Sequence, residues 1–283
     1  MTDAEKLFNQ IVKRCFDRWS FILSLRVTSN QGMEAARKKI ETEKVTFVND
    51  LLQGADYEKL FLDKEGFFKA MPPEKLVQTM TDETVRQAQS AVDAASIVFA
   101  HSVLDGAALD YCRVTALVAP LDWESVIDQR QIKLSDARES GYEQILKTKL
   151  DEFLEQLDRE SLLKKADHLL ARCKPPGKWS PMRDYVYDRD RLEKLDDYRH
   201  KVIHGASLGK GIPNAEGEVD YLMKTVLFFQ GLVNLRYRLM LDPYYAFTGK
   251  ELPAQTAAAS PAAAGRAFQA KAAIEVEKKE PSL

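Results

Sequence analysis

The stretch "SIVFAHSVLDGAALDYC", residues 96–112, decides the class of fold. Apolar residues recur in it at helical spacing and also occupy many positions in between, so a helix formed here is apolar on most sides. Such a helix must be covered by other elements, which makes it the expected centre of a helical bundle. The pattern extends in both directions and predicts a helix from Asp82 to Val118, with Thr81 or Asp82 as N-cap and Pro120 beyond its end.

The same periodicity continues through most of the chain, and no sustained alternation of apolar and polar residues predicts a sheet. The sequence therefore predicts an all-α protein, an antiparallel helical bundle. Besides the central helix, helices are expected at about 4–28, 33–52, 138–172, 188–204 and 219–241.

Three regions follow from changes in composition. Gly66 and the Pro72-Pro73 pair interrupt the helical pattern, which separates an N-terminal helical segment, residues 1–81, from a helical domain, residues 82–249. Residues 250–283 are rich in alanine and proline and hold few large apolar side chains. With little apolar surface to bury, this C-terminal tail is expected to be disordered.

Charge and cysteine content narrow the function classes. The 283 residues contain 41 Lys and Arg against 43 Asp and Glu, a net charge of −2, so no overall field attracts nucleic acid or anionic lipid. No leader sequence or uninterrupted apolar span is evident, so we expect a cytoplasmic protein without membrane contact. Cys15, Cys112 and Cys173 have neither zinc nor redox spacing and are expected to be reduced, buried thiols.

The stretch "DDYRHKVIHG", residues 196–205, holds two of the four histidines of the chain. At about 100° per residue, Arg199 falls in the middle of the apolar face of its helix, among leucine and valine positions. A guanidinium there requires carboxylates, carbonyls or the phosphate of a ligand. His204 lies at the end of the helix, where Gly205 is a suitable terminating residue.

Three interpretations of this stretch are open. In the first, His204 is a cation favoured by the helix dipole, and Arg199 pairs with a buried acid such as Asp110. In the second, His200 and His204, four residues apart on one helix face, bind a metal, although no third ligand accompanies them. The third interpretation rests on resemblance to a known family.

The arrangement of Arg199, four intervening residues and His204, near a helix end late in an all-α domain, resembles the R-x(4–6)-H signature of the HEPN superfamily. The resemblance covers residues 82–241 and includes nothing in residues 1–81 or in the tail. It implies a metal-independent endoribonuclease without cofactor, whose active site forms between two motifs across a homodimer. Arg199 and His204 are then the central catalytic residues, with His200 assisting.

The resemblance also implies partners and a role. RNA is the expected substrate, a second copy of the chain is expected to complete the site, and an antitoxin or another regulatory protein is a further expected partner. Such enzymes degrade RNA in stress or phage defence, some as toxins. Other members of the superfamily are non-catalytic helical dimerisation or binding modules, which is the alternative function.

Two further groups of residues are candidates. His101 and Asp105, four residues apart on the central helix, form either a structural hydrogen bond or a pair that tunes the imidazole. Residues 164–201 hold eleven Lys or Arg against seven Asp or Glu and interleave them with aromatic residues. This composition is typical of single-stranded RNA platforms, and equally of a solvated loop with aromatic rings packed beneath it. The RNA-binding candidates here are Lys178, Trp179, Arg183 and Lys201.

Overall fold

The computed structural model describes residues 1–52, 73–127, 141–175, 179–204, 212 and 214–248. These residues are helical or irregular and contain no strand, so the all-α class expected from the sequence is confirmed. The helices, numbered in chain order, are α1 (Asp3–Leu52), α2 (Pro73–Val118), α3 (Tyr142–Asp158), α4 (Leu162–Arg172), α5 (Arg189–Ile203), α6 (Ala215–Tyr237) and α7 (Pro243–Thr248). Gly66 and the tail 250–283 lie outside the described residues, so the disorder expected of the tail stays a prediction.

Helix α1 is one helix, where the sequence predicted two. It begins with reciprocal capping, because Thr2 Oγ1 accepts a hydrogen bond from Glu5 N at 3.2 Å and Glu5 Oε2 accepts one from Thr2 N at 2.8 Å. The break expected between residues 28 and 33 is wrong, since Gly32 continues the helix. A single glycine costs a helix only about 1 kcal/mol, which lateral packing can offset.

Helices α1 and α2 form an antiparallel hairpin. The contacts run in register along it: the rings of Phe8 and Tyr111 lie 6.1 Å apart, the rings of Phe21 and Phe99 lie 5.5 Å apart, and Arg26 Nη2 is 3.3 Å from Asp93 Oδ1. Farther out, Arg37 pairs with Asp82.

Helix α2 is the central element, as predicted, and it packs against α1, α3, α4, α5 and α6. Most of residues 96–112 are buried, although Phe99 is 36% exposed. The predicted start at Thr81 or Asp82 is wrong, because α2 begins at Pro73. Proline suits a first helical position, where its missing N–H has no intrahelical partner. Helix α2 thus runs through the position at which the sequence separates residues 1–81 from 82–249.

The single helix predicted for residues 138–172 is also wrong. Helix α3 ends at Asp158, and α4 starts after Ser161, whose side chain accepts a hydrogen bond from Lys164 N at 3.4 Å. Because the apolar periodicity continues across this break, periodicity alone does not predict it. Serine is a preferred N-cap residue, so Ser161 is the sequence feature that indicates the start of a new helix. Before α3, the 3-10 helix Pro120–Val126 buries Trp123, and the Arg172 guanidinium lies 4.2 Å from the centroid of that ring.

The chain divides into a compact unit, Met1–Met240, and a second unit, Leu241–Leu283, of which α7 is described. By length and composition the segment Thr81–Val118 could cross a membrane, contrary to the expectation that no segment approaches that limit. However, 56% of its most apolar window is buried inside the protein, as is usual for the core helix of a bundle. All three cysteines are buried and unpaired with each other, as the sequence predicted.

Candidate functional site

The site lies on the last turns of α5, which is anchored at both ends. Asp188 caps the N-terminus by accepting a hydrogen bond from Arg191 N at 3.0 Å, and Leu192 and Leu195 are buried against the core. The helix ends at Ile203, and His204 follows with its backbone N–H bonded to the His200 carbonyl at 3.1 Å. His204 is therefore at the helix terminus, as expected, while Gly205 lies outside the described residues.

Two exposed imidazoles mark the end of α5. The ring centroids of His200 and His204 are 4.3 Å apart with an interplanar angle of 54°. Both rings are thus available to a ligand approaching this helix end. Within the described ranges no group of three or more His, Cys, Asp and Glu side chains is placed to hold a metal ion, so the metal interpretation rests on these two ligands.

Arg199 lies on the adjacent part of the helix surface and is partly buried. Its Nε is buried without a hydrogen-bond partner, and among the described residues it forms no ion pair. The proposed pairing with Asp110 is wrong: Asp110 binds Arg14 and Arg113, the latter with 3.0 Å between Nη1 and Oδ1. Asp110 is the buried partner of arginines, but of arginines that lie beside it on α1 and α2.

Asp196 is the residue of this site that sequence reasoning missed. Its Oδ1 lies 3.0 Å from His101 Nε2, and His101 is 1% exposed. The ring N–H is not aimed at that oxygen well enough for a formed hydrogen bond, so the contact is best described as electrostatic. The contact with His101, with the nearby Arg199 and His200, lowers the pKa of Asp196, although burial opposes it.

The spacing of these residues on α5 was a usable signal. Asp196 precedes Arg199 by three positions and His200 by four, and residues so spaced share a helix face. His101 contributes from α2 and ties that face to the central helix. The four residues Asp196, Arg199, His200 and His101 are therefore brought together electrostatically, with His204 beside His200.

The predicted partnership of His101 with Asp105 is wrong. Asp105 Oδ1 lies 2.8 Å from Lys165 Nζ on α4, and the Lys165 side chain is 2% exposed. A buried ammonium must be paired, so Lys165 determines the direction of the Asp105 carboxylate. His101, one turn earlier on α2, is left facing α5.

The aromatic residues of the basic segment form no open platform. Trp179 packs against Phe228 with ring centroids 6.1 Å apart, and the ring of Tyr187 stacks on Phe228 at 5.7 Å. Tyr185 is buried and donates a hydrogen bond to Thr225 Oγ1 at 2.9 Å. These aromatic rings are therefore packed against the protein beneath a loop, and they do not support stacking of RNA bases on Trp179.

The cations of this segment differ in availability. Arg183 and Lys201 are exposed, whereas Lys178 lies outside the described residues. Arg189 pairs with Asp167 at 3.1 Å, and Arg191 pairs with Glu218 at 2.9 Å while its guanidinium lies 4.1 Å from the centre of the Tyr221 ring. Much of the local positive charge is therefore neutralised within the protein.

Neither family models, nor curated proteins, nor solved structures provide a significant match to this chain. Over the residues that it describes, the structure defines a class: an all-α protein in which one helix end carries two exposed histidines and an arginine without an ion pair.

Proposed function

We propose that the protein is a metal-independent endoribonuclease of the HEPN type, acting on RNA in the cytoplasm as a homodimer in stress or phage defence. The observation that carries the proposal is the Arg199 guanidinium, which has no ion-pair partner among the described residues and belongs to the same last turns of α5 as the His200 and His204 imidazoles, whose ring centroids are 4.3 Å apart. A structural arginine would be engaged by a carboxylate of its own chain. An unpaired one on a helix end that also carries two exposed imidazoles suits a phosphate ligand.

The chemistry matches these side chains. Cleavage of RNA by its own 2′-hydroxyl requires one group to take the proton from that oxygen and another to protonate the leaving 5′-oxygen. Imidazoles titrate near neutrality and serve both steps. Arg199 supplies a fixed fork of donors to the phosphate, where charge accumulates in the transition state. A two-fold dimer brings a second set of these groups to the scissile phosphate.

Asp196 and His101 have a positioning role in this scheme. The lowered pKa of Asp196 keeps it ionised at neutral pH, and its charge favours an orientation of Arg199 and His200 along the same helix face. His101 holds Asp196 from the central helix. Neither residue transfers a proton in this scheme.

The test is cleavage of a labelled single-stranded RNA by the purified full-length chain, with and without chelator. His204→Ala and Arg199→Ala are each expected to reduce the rate at least about 100-fold, the loss typical of a removed proton-transfer or charge-stabilising group. Arg199→Lys retains the charge and loses the bidentate fork, so an intermediate rate is expected. The products should end in a 2′,3′-cyclic phosphate or a 3′-phosphate.

The matched control is Lys194→Ala, an exposed cation on the same helix outside the proposed site, which should retain the wild-type rate. Helical content should stay unchanged in all four variants. Cleavage that survives His204→Ala, or that stops when metal is chelated, contradicts the proposal and favours His200 and His204 as metal ligands.

The alternative, a non-catalytic helical dimerisation or binding module, has support of its own. Large apolar side chains are exposed on α1, among them Phe16 at 52% and Phe21 at 57%. An exposed apolar surface of this kind is typical of a protein that binds another protein. This alternative predicts no cleavage of any RNA but stable association with a partner or with a second copy.

A further inference from the structure

One stretch of α1 presents a surface without charge. Between Trp19 and Gly32 the only charged residue is Arg26, in a chain of which 30% is charged. Arg26 is directed toward α2, where its Nη2 lies 3.3 Å from Asp93 Oδ1, and its side chain is 15% exposed. The solvent-facing side of α1 over this stretch therefore carries apolar and small polar side chains alone.

These side chains are arranged in three rows along the helix. At about 100° per residue, Leu23 and Val27 form one edge, and Phe21 and Leu25 form the other. Between the edges run Ser20, Ser24 and Thr28, each four positions from the next. We call these seven residues the α1 face; it is a groove of small residues between two ridges of large ones, and Phe99 of α2 extends the second ridge.

The α1 face has the size of a functional apolar patch. Its four large apolar side chains are 37% to 57% exposed. A phenylalanine buries roughly 150–250 Å² when covered, so Phe21 still offers about 100 Å². With the aliphatic residues the sum is on the order of 300–400 Å² of apolar surface, the size of the largest patch on a typical monomer, which is often functional. The small residues in the groove enlarge the area that a partner covers, toward the roughly 800 Å² per partner of a standard interface.

We propose that the α1 face is the contact between two copies of this chain, with α1 packed against α1 of the second copy. The contact of a two-fold dimer must be complementary to itself. An uncharged face meets that condition without opposing like charges, and a ridge of one copy fits the groove of the other. A partner with a charged surface would find no counter-charges here.

The position of the α1 face fits the proposed function, on which this inference rests. Arg26, which turns from this stretch toward α2, pairs with Asp93, and burial together with the charge of Asp93 raises the pKa of Tyr198, the residue before Arg199. The stretch of α1 that carries the face is therefore connected through α2 to the helix that carries the motif, where the proposed function calls for a second copy. It also gives a role to the N-terminal segment, which the family resemblance does not cover.

The first test measures the mass of the full-length protein at micromolar concentration by light scattering coupled to gel filtration. Wild type is expected to be a dimer. Ser24→Arg places a cation in the centre of the groove, opposite its symmetry mate, and should yield a monomer of unchanged helical content. Ser102→Arg, at an exposed serine on α2 outside the α1 face, is the matched control and should remain a dimer.

The second test uses a cysteine in place of the same serine. The three native cysteines are buried, so Ser24→Cys adds an accessible thiol to a chain whose own thiols are protected. Mild oxidation should link two copies covalently in this variant and leave Ser102→Cys as single chains. No cross-link for Ser24→Cys, together with a dimeric Ser24→Arg, overturns the inference.

RNA cleavage by each variant is measured separately from its mass. If Ser24→Arg is still a dimer and cleaves RNA at the wild-type rate, the α1 face is not the interface and the proposed function stands. If Ser24→Arg becomes a monomer while wild type cleaves no RNA, the interface stands and the proposed function fails. A wild type that is monomeric at micromolar concentration overturns the interface directly.

Discussion

At the scale of single residues, two ionisable pairs connect the central helix to its neighbours. Lys165 on α4 is buried and meets Asp105 on α2 at 2.8 Å. Asp196 on α5 meets His101 on α2 at 3.0 Å. Each pair joins the central helix to a different neighbouring helix, so each contributes to the packing of the bundle.

Removing the partner of Lys165 is expected to destabilise the protein strongly. Asp105→Ala leaves a buried ammonium without a counter-charge and should lower the free energy of unfolding by about 3 kcal/mol, the lower end for a broken buried pair because Asp105 keeps some solvent contact. Lys165→Met together with Asp105→Ala removes both charges and should recover a large part of that loss. Urea unfolding of the single and double variants measures these free energies. A double variant that is no more stable than Asp105→Ala contradicts the argument.

The Asp196 contact should make stability depend on pH in acid. Because its pKa is lowered below the usual 3.8, chiefly by His101, Asp196 contributes stability that is present above 3.8 and is lost as the pH falls through the folded-state value. The difference in unfolding free energy between wild type and Asp196→Asn should therefore be largest near neutral pH and shrink below pH 3.8.

Denaturant titrations at neutral pH and below pH 3.8 measure this difference in unfolding free energy. The control is Asp197→Asn, the exposed neighbour on α5, which should change stability little at either pH. An Asp196→Asn difference that stays constant or grows in acid would show that the carboxylate is not stabilised by its surroundings.

At the scale of elements, the α1–α2 hairpin is unevenly supported. In α1, Phe8, Ile11, Cys15 and Ile22 are buried in the core. Beyond them, from Leu23 to Glu43, none of the side chains that the structure describes is fully buried. This outer part is held by pairs such as Arg37 with Asp82, which are exposed and contribute little.

The two ends of α1 should therefore differ in hydrogen exchange. Amides of residues 37–43 are expected to exchange much faster than those of residues 8–15, because the outer hairpin can open without disrupting the core. Hydrogen-exchange mass spectrometry on peptides from both regions makes the comparison. Equal protection along the whole helix would show that another surface covers the outer hairpin.

At the scale of the whole molecule, one helix organises the packing. Helix α2 contacts α1, α3, α4, α5 and α6, and residues from all of these helices join one apolar cluster. The site is a product of this arrangement, since α2 supplies His101 and α5 supplies Asp196, Arg199 and His200. Loss of α2 packing should therefore affect the site and the core together.

Removal of residues 250–283 should leave this arrangement intact. The tail has few large apolar side chains, so it has little surface with which to stabilise the rest of the chain. The truncated protein is expected to keep the helical content and the melting temperature of the full chain, as measured by circular dichroism. A clear fall in melting temperature would show that the tail packs on the protein.

The class of fold and the central role of residues 96–112 could be predicted from the sequence, because the period and extent of apolar residues are local properties. The sequence also placed His204 at a helix end and the three cysteines in the interior. Helix boundaries were predicted less well from the sequence. Gly32 does not interrupt α1, whereas the predicted helix 138–172 is interrupted before Ser161 caps α4. Whether a helix continues there depends on packing and capping, which periodicity does not report.

Which charged side chains meet could not be predicted from the sequence and follows from the packing of the helices. His101 faces Asp196 and not Asp105, Asp110 faces Arg14 and Arg113, and Arg199 is left without an ion pair among the described residues. Such pairings join residues as much as 96 positions apart, and their choice depends on how helices are rotated and stacked against each other. Composition restricts the candidates, but the energy of a buried charge is set by distance and desolvation, and both exist only in the assembled fold.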